Sequence, residues 1–205
     1  IYKGRKSRDV KRMDTVLFKL QGGPNTTLLL DVVKNPFYLF HEGYLGYFNF
    51  EMINITKIND RLNYIIGFEP KNLGEGPIYI GKIYLDIENL AISQIEFKKK
   101  KKNIKEATAV LVRKKPLTMK VEPISAKYFV NYREIDGEWY FNYARGEVEF
   151  SCKWKRKLFK SVYKTMSEIA ITDRTEENVE KFKYREIIRK GESFIGTYVN
   201  NNYID

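Results

Sequence analysis

The feature that most constrains the fold is an alternation of apolar and polar residues that recurs along the chain in short segments. The stretch RLNYIIGFEP shows it, and so does YFNFEMINI before it. Successive side chains of a strand point to opposite faces, so each stretch gathers its apolar residues on one face of a sheet. The pattern therefore predicts β-strands that are buried on one side only.

Short turn signals separate these segments and predict how the strands connect. Asn59-Asp60 lies between the first two strands, and a three-residue link joins IYIGKIYLD to LAISQIEF. Asp136-Gly137 separates two longer strands and is typical of a two-residue hairpin. LFKSVYKTMSEIAITD then predicts a further long strand. We expect a mainly β fold, a highly curved antiparallel sheet or half-barrel of about seven strands or more, with short helices covering its concave face.

Three segments depart from the strand pattern. Residues 1–14 are basic and weakly periodic, which indicates a linker or arm, and residues 15–173 hold the predicted β domain. Within it, NIKEATAVLVRKKP predicts a helix near 103–115, with Asn103 as its N-cap. Residues 174–205 predict a polar, partly helical end of the same domain. Another short helix is expected to begin at Asn25 or Thr26.

Composition narrows the function classes. The chain has 205 residues, of which 43% are hydrophobic, and a net charge of +11, which allows nucleic acid, anionic lipid or acidic partners. One cysteine, Cys152, and one histidine, His41, leave no disulfide within the chain and no zinc-ligand spacing. No apolar run reaches the about 20 residues that span a bilayer as a helix. We predict no catalytic residues, no metal and no cofactor, and hence no enzyme.

A run of five lysines is the most conspicuous charged feature and has two interpretations. It follows a predicted strand and precedes a predicted helix cap, so a solvated corner that discourages edge pairing explains it most simply. The other interpretation is an anion contact with phosphate, an anionic glycan or a membrane surface. Nucleic acid is disfavoured, because no exposed aromatic platform accompanies the run. The run consists of Lys98, Lys99, Lys100, Lys101 and Lys102.

The apolar face of the first two strands is the candidate ligand surface. A concave apolar face must be buried by helices, by a partner or by a ligand, and core packing under a helix explains it equally well. If it is a binding surface, a lipid-like ligand or a protein partner would occupy it. The residues predicted to line it are Phe48, Phe50, Leu62, Tyr64, Ile66 and Phe68.

Several phrases in order also suggest a family. GGPNTTLLLDVVKNP, LNYIIGFEPK, GKIYLDIENLAISQIEF, YREIDGEWYFNYARGEVEF and SEIAITD lie between about residues 17 and 173. Together they resemble the region that follows the carboxypeptidase-like regulatory domain in exported envelope proteins of Bacteroidetes-type bacteria. The predicted curved sheet is similar in architecture to the Lol-type proteins that sort outer-membrane lipoproteins.

The resemblance implies an exported protein of the periplasm or outer membrane, preceded by an immunoglobulin-like module. The chain begins at Ile1 without a methionine, so we expect a fragment or a processed chain from which a signal peptide was removed. The likeness to Lol-type proteins implies a cavity that holds acyl chains, and neither resemblance implies catalysis. The sequence and this resemblance together predict a non-enzymatic envelope domain that binds a lipid-like ligand or an envelope protein. The alternative is a basic scaffold on an anionic glycan or membrane surface, and the oligomeric state stays open.

Overall fold

The computed structural model describes residues 19–20, 24–36, 39–71, 79–99, 108–181 and 183. The described residues form three helical segments, each about one turn long, and nine strands. The helices are α1 (Pro24–Leu28), α2 (Glu42–Leu45) and α3 (Thr108–Leu111). The strands are β1 (Lys19–Leu20), β2 (Phe48–Ile58), β3 (Arg61–Pro70), β4 (Tyr79–Asp86), β5 (Ile92–Lys99), β6 (Val112–Lys114), β7 (Met119–Ile135), β8 (Glu138–Trp154) and β9 (Ser161–Ala170).

Seven of these strands form one antiparallel meander in the order β2-β3-β4-β5-β7-β8-β9. The two tight turns form at the predicted positions, with φ of 48° and 65° at Asn59 and Asp60 and 54° and 85° at Asp136 and Gly137. Two consecutive left-handed residues match the type I′ turn, whose twist suits a hairpin. The predicted mainly β, antiparallel class is confirmed.

The sheet is neither closed nor strongly curled, so the predicted half-barrel is not formed by the described strands. Strands β2 and β9 are its two edges and do not pair with each other. Four register shifts interrupt the ladder, in β2, in the β4–β5 pair and twice in the β7–β8 pair. Such bulges raise the local twist, whereas closure needs the outer strands to meet.

One face of the sheet, here called the covered face, holds the main core. Residues that are directly opposite in the ladder share a face, and Ile66, Ile83, Ile95 and Val130 follow one another across it. The chain between α1 and α2 contributes buried side chains to the same cluster, Val32 and Leu39 among them. The opposite face, here called the open face, presents mainly polar side chains.

A second, smaller core lies toward the far ends of β7 and β8. Met119, Val121, Phe150 and Cys152 are buried there, with Leu111 and Val112 packed against them. Within the predicted helix near 103–115, the structure has one turn, α3, followed directly by strand β6, which pairs with β1. Strand pairing beside this core replaces the end of that helix, while Asn103 lies outside the described residues.

The sheet belongs to a compact unit of residues 18–171. Beyond it, the described residues 172–181 and 183 contain a turn at 177–178 and no helix. The rest of the predicted partly helical segment lies outside the described residues.

Two hydrogen bonds fix the covering chain to the sheet. The buried Tyr132 hydroxyl donates to Oδ1 of Asp31 at 2.9 Å and accepts from the Val33 N–H at 3.3 Å. The Thr27 hydroxyl donates to that of Ser167 in β9 at 2.7 Å. Burial, together with the nearby Asp31 carboxylate, raises the pKa of Tyr132 well above its usual range.

Tyr132→Phe should lower the free energy of unfolding by about 1–2 kcal/mol near neutral pH, because it leaves the Val33 N–H without this acceptor. The raised pKa of Tyr132 means that the neutral phenol stabilises the fold below its ordinary pKa of 10.0, and this contribution is lost as the pH rises further. Urea titrations at ~pH 8 and ~pH 11 should show a smaller loss of stability in the variant than in the parent. Tyr64→Phe, on the same face, is the control and should lose as much stability between the two pH values as the parent. An equal loss in the parent and in Tyr132→Phe would contradict this account of the Tyr132 hydroxyl.

A buried ion pair fastens the β2–β3 turn to the β4–β5 link. The Asp86 side chain is only 1% exposed and receives Nε of Arg61 at 2.6 Å and Nη2 at 3.0 Å. Its Oδ1 also accepts the backbone N–H groups of Glu88 and Asn89. The Arg61 hydrogen bond is the main reason that the pKa of Asp86 is lowered. Two chain reversals are thus held by one carboxylate.

Asp86→Asn should destabilise the protein by about 2 kcal/mol near neutral pH, because hydrogen bonds to a charged group are stronger than those to an amide. With its pKa lowered, the Asp86 carboxylate stabilises the fold above its ordinary pKa of 3.8, and the contribution is lost as the pH falls below that. Thermal melts should therefore show the gap between parent and variant narrowing in acid. Asp60→Asn, in the exposed turn, should change little, and a gap that stays constant with pH would contradict this account.

Candidate functional site

The open face carries a groove of about 780 Å³. Its lining comes from β2, β3, β4, β5, β7 and β8, so it crosses most of the sheet. Gly67 leaves bare backbone on this face in β3. A side-chain carbon there would lie 2.8 Å from Cδ1 of Ile53, the bulged residue of the neighbouring strand. The missing side chain and the local twist both help to keep the groove open.

Eight charged side chains line the groove, four basic and four acidic. The basic ones are Lys82, Lys98, Lys127 and Arg145, and the acidic ones are Glu51, Glu69, Glu96 and Glu147. The charges therefore balance in number, and what matters is which of them are already paired.

The acidic groups in the middle of the sheet are engaged. Glu147 accepts Nζ of Lys164 at 2.5 Å and also pairs with Arg145, and the Lys164 hydrogen bond is the main reason that its pKa is lowered. Glu96 accepts from the Gln94 amide at 2.9 Å and from the Tyr84 hydroxyl at 3.3 Å. These carboxylates are occupied by neighbours on their own side of the groove.

Two lysines in the groove face each other without such compensation. Lys98 of β5 is directly opposite Lys127 of β7 in the ladder. Lys127 is also opposite Glu147 on its other side, but Glu147 is held by Arg145 and Lys164. Among the described residues, neither Lys98 nor Lys127 forms an ion pair. Like charges directly opposite each other disfavour a sheet pairing, so an anion placed between the two ammonium groups would be stabilised there.

Apolar groups complete the groove. Phe129 and Tyr143 pack edge to face with ring centroids 5.8 Å apart, and Ile80 lines the groove from β4. Tyr143 donates its hydroxyl hydrogen to Glu168 at 2.8 Å, and burial of its ring is the main reason that its pKa is raised. The groove therefore combines a cationic pair with aromatic and aliphatic surface.

The six residues predicted as a ligand surface do share one face, but it is the covered one. Phe48 and Phe68 are buried in the main core, and Ile66 packs against it. Phe50 and Leu62 stay 45% and 56% exposed near the β2 edge. Of the six, only Phe68 also contributes to the groove. Ligand binding by this set stays a prediction.

The lysine run is divided by strand alternation. Lys98 lines the groove on the open face. The next residue, Lys99, turns to the covered face, where its ammonium lies 5.6 Å from the centre of the Tyr79 ring. Lys100, Lys101 and Lys102 lie outside the described residues. The run is therefore not one continuous patch where the structure shows it.

Most of the groove could not be predicted from the sequence. Its members Lys82, Lys127, Phe129 and Arg145 each lie on the polar side of an alternating strand, a position that is typical of solvated surface. The pairing of β5 with β7 brings Lys98 to Lys127 across 28 intervening residues, and no local pattern announces that register. A stronger signal was available in β7 and β8, where aromatic residues interrupt the polar series.

The single histidine and the single cysteine lie in separate elements of the structure. His41 caps α2 and accepts the Gly43 N–H on its Nδ1 at 3.2 Å, while Cys152 is buried in the second core, where burial raises its pKa. Within the described ranges, no group of three or more His, Cys, Asp or Glu side chains could hold a metal ion. No helix in the same part of the chain is long and apolar enough to cross a bilayer.

Comparison with known proteins does not assign this chain to a family. No protein family, no curated protein sequence and no solved structure matches this chain. The resemblance to exported envelope proteins therefore stays a prediction from sequence phrases, and the groove has to be interpreted from its own chemistry.

If the two facing lysines repel each other, removing one of them should stabilise the protein. Lys127→Gln is expected to raise the free energy of unfolding by about 0.2–1 kcal/mol at low ionic strength. High salt should abolish the gain, because it screens exposed charges. Denaturant titrations at two salt concentrations measure both effects. Lys82→Gln is the matched control, since Lys82 is opposite Glu96, and a gain of the same size there would contradict the assignment.

Proposed function

We propose that this chain is a non-enzymatic binding domain whose open-face groove holds an organic anion with an apolar portion. The observation that carries the proposal is the facing pair Lys98 and Lys127, which lines the groove and has no ion-pair partner among the described residues. A bound anion would remove the repulsion that the fold itself leaves uncompensated. The pair thus favours a ligand over a purely structural role.

The head of the ligand should be an oxyanion such as a phosphate or a carboxylate. Two ammonium groups on adjacent strands can donate to different oxygens of one such group, and these charge-assisted hydrogen bonds are the strong ones. Arg145 also lines the groove, and its guanidinium pairs with Glu147 and lies 3.7 Å from Glu168. It adds a third positive charge to this part of the groove.

The remainder of the ligand should be apolar. Phe129, Tyr143 and Ile80 supply hydrophobic surface beside the lysines. A volume of about 780 Å³ falls within the range of small-molecule sites, which combine apolar walls with a few placed polar groups. A single-chain amphiphile with an anionic head meets both requirements. Such a ligand belongs to the lipid-like class predicted from the sequence. It would bind on the open face, whereas the six residues predicted to hold it share the covered face.

The alternative, a flat contact of the lysine run with an anionic glycan or membrane, has less support. Such a contact needs neighbouring lysines on one surface, whereas Lys98 and Lys99 point to opposite faces. Residence in the bacterial envelope, with an envelope protein as partner, remains the proposal that the sequence resemblance supports.

Octyl phosphate is the probe that tests the groove, with octanol and inorganic phosphate as the two halves of the molecule. Isothermal titration calorimetry below the critical micelle concentration should show binding of octyl phosphate that is stronger than that of either half. Replacing both facing lysines, Lys98→Ser with Lys127→Ser, should weaken binding about tenfold or more, because two charge-assisted hydrogen bonds are lost. Added salt should weaken binding to the parent in the same direction.

The matched control replaces two lysines that are exposed and lie outside the groove, Lys153→Ser with Lys155→Ser. It removes the same charge, so it should leave the dissociation constant within about twofold if the site is local. Equal weakening by both double variants would show a general charge effect and sink the proposed site. Equal binding of octanol and octyl phosphate would reject the anionic head.

A further inference from the structure

Strand β9 is one edge of the sheet, and its ladder with β8 is regular. Its pairing with β8 runs from Ser161 to Ala170 without a register shift, whereas the other edge, β2, is interrupted by a bulge at Ile53. No described strand pairs with the outer side of β9. A long edge without a bulge is a template for another strand, and proteins usually protect such edges.

The order of the charged side chains along β9 allows the strand to complement a second copy of itself. Lys164, Met166 and Glu168 follow at intervals of two, so all three lie on the open face. Met166 is 54% exposed, and Val162 at the start of the strand is 63% exposed. Lys164 and Glu168 thus lie at equal distances along the strand on either side of the exposed Met166.

This spacing selects one register for a second copy of the strand. If two β9 strands pair antiparallel about a two-fold axis at Met166, Lys164 of each copy lies directly opposite Glu168 of the other. The two methionines then meet at the axis. An axis at residue 164 would oppose lysine with lysine, and one at residue 168 would oppose glutamate with glutamate. Axes at 165 or 167 would leave both charges opposite uncharged residues.

We infer that this protein forms a homodimer in which the two β9 edges join the sheets of two copies into one continuous antiparallel sheet. The interface is isologous, as two-fold dimers require, because the same strand serves both sides. Opposite charges directly across a strand pair favour that register, and like charges disfavour the registers centred at residues 164 and 168. The inference does not depend on the groove holding a ligand.

The two charged residues are already positioned by the sheet. Lys164 donates to Glu147 at 2.5 Å, and Glu168 accepts from Tyr143 at 2.8 Å and lies 3.7 Å from Arg145. Both side chains are already engaged on the open face by residues of β8, so little additional ordering is required when a second copy adds its charges to this network.

Sedimentation velocity of the full chain over a range of concentrations tests the dimer. The parent should shift from monomer to dimer as concentration rises. Lys164→Glu and Glu168→Lys should each abolish the shift, because each places two like-charge pairs in the interface. An equimolar mixture of the two variants should restore it, because every facing pair is then opposite in charge. No loss of folding in either variant could produce this rescue.

A second pair of variants tests which edge is used. Met166→Lys puts two lysines at the axis and should abolish the dimer, with far-ultraviolet circular dichroism unchanged. Met52→Lys, at an equally exposed position on the other edge, should leave the dimer intact. A monomer at every concentration would overturn the inference. So would a dimer that Met52→Lys breaks, or one that survives the two single charge reversals without needing the mixture.

Discussion

The structure depends on a short stretch of chain between α1 and α2 that packs over the main core on one face of the seven-strand sheet. The Tyr132 hydroxyl fixes this stretch through Asp31 and Val33, and Val32 and Leu39 complete the core beneath it. Because strands alternate, every apolar side chain committed to this face sends its neighbours to the other. The open face must therefore carry the polar residues, and contacts with other molecules are left to that face and to the sheet edges.

Register is the second constraint, since it determines which polar residues meet. The facing lysines result from the pairing of β5 with β7, and the row beside them places Phe129 between Glu96 and Arg145. A shift of one residue would exchange the two faces of a strand. Each bulge shifts the alternation by one residue, so the buried positions of β7 change from Val121 and Pro123 to Ala126 and Val130.

The strand class, the meander and both tight turns could be predicted from the sequence because alternation and turn residues are local signals. The common face of Phe48 and Phe68 was predictable for the same reason. Whether that face is covered or open was not, because it depends on where the chain between α1 and α2 packs. Of the groove residues, only Lys98 and Phe68 were singled out, since Lys127 becomes significant only through a pairing distant in sequence.

One carboxylate connects the edge of the sheet to the groove. Glu147 is opposite Lys127 and would be its natural partner, yet Lys164 of β9 and Arg145 of β8 both bind it. The uncompensated charge of Lys127 therefore follows from the engagement of Glu147 by both cations, and not from a shortage of acidic residues. A contact that draws Lys164 away from Glu147 would leave this carboxylate with Arg145 and with room for Lys127. The chemistry of the groove and the state of the β9 edge are thus linked through the side chain of Glu147.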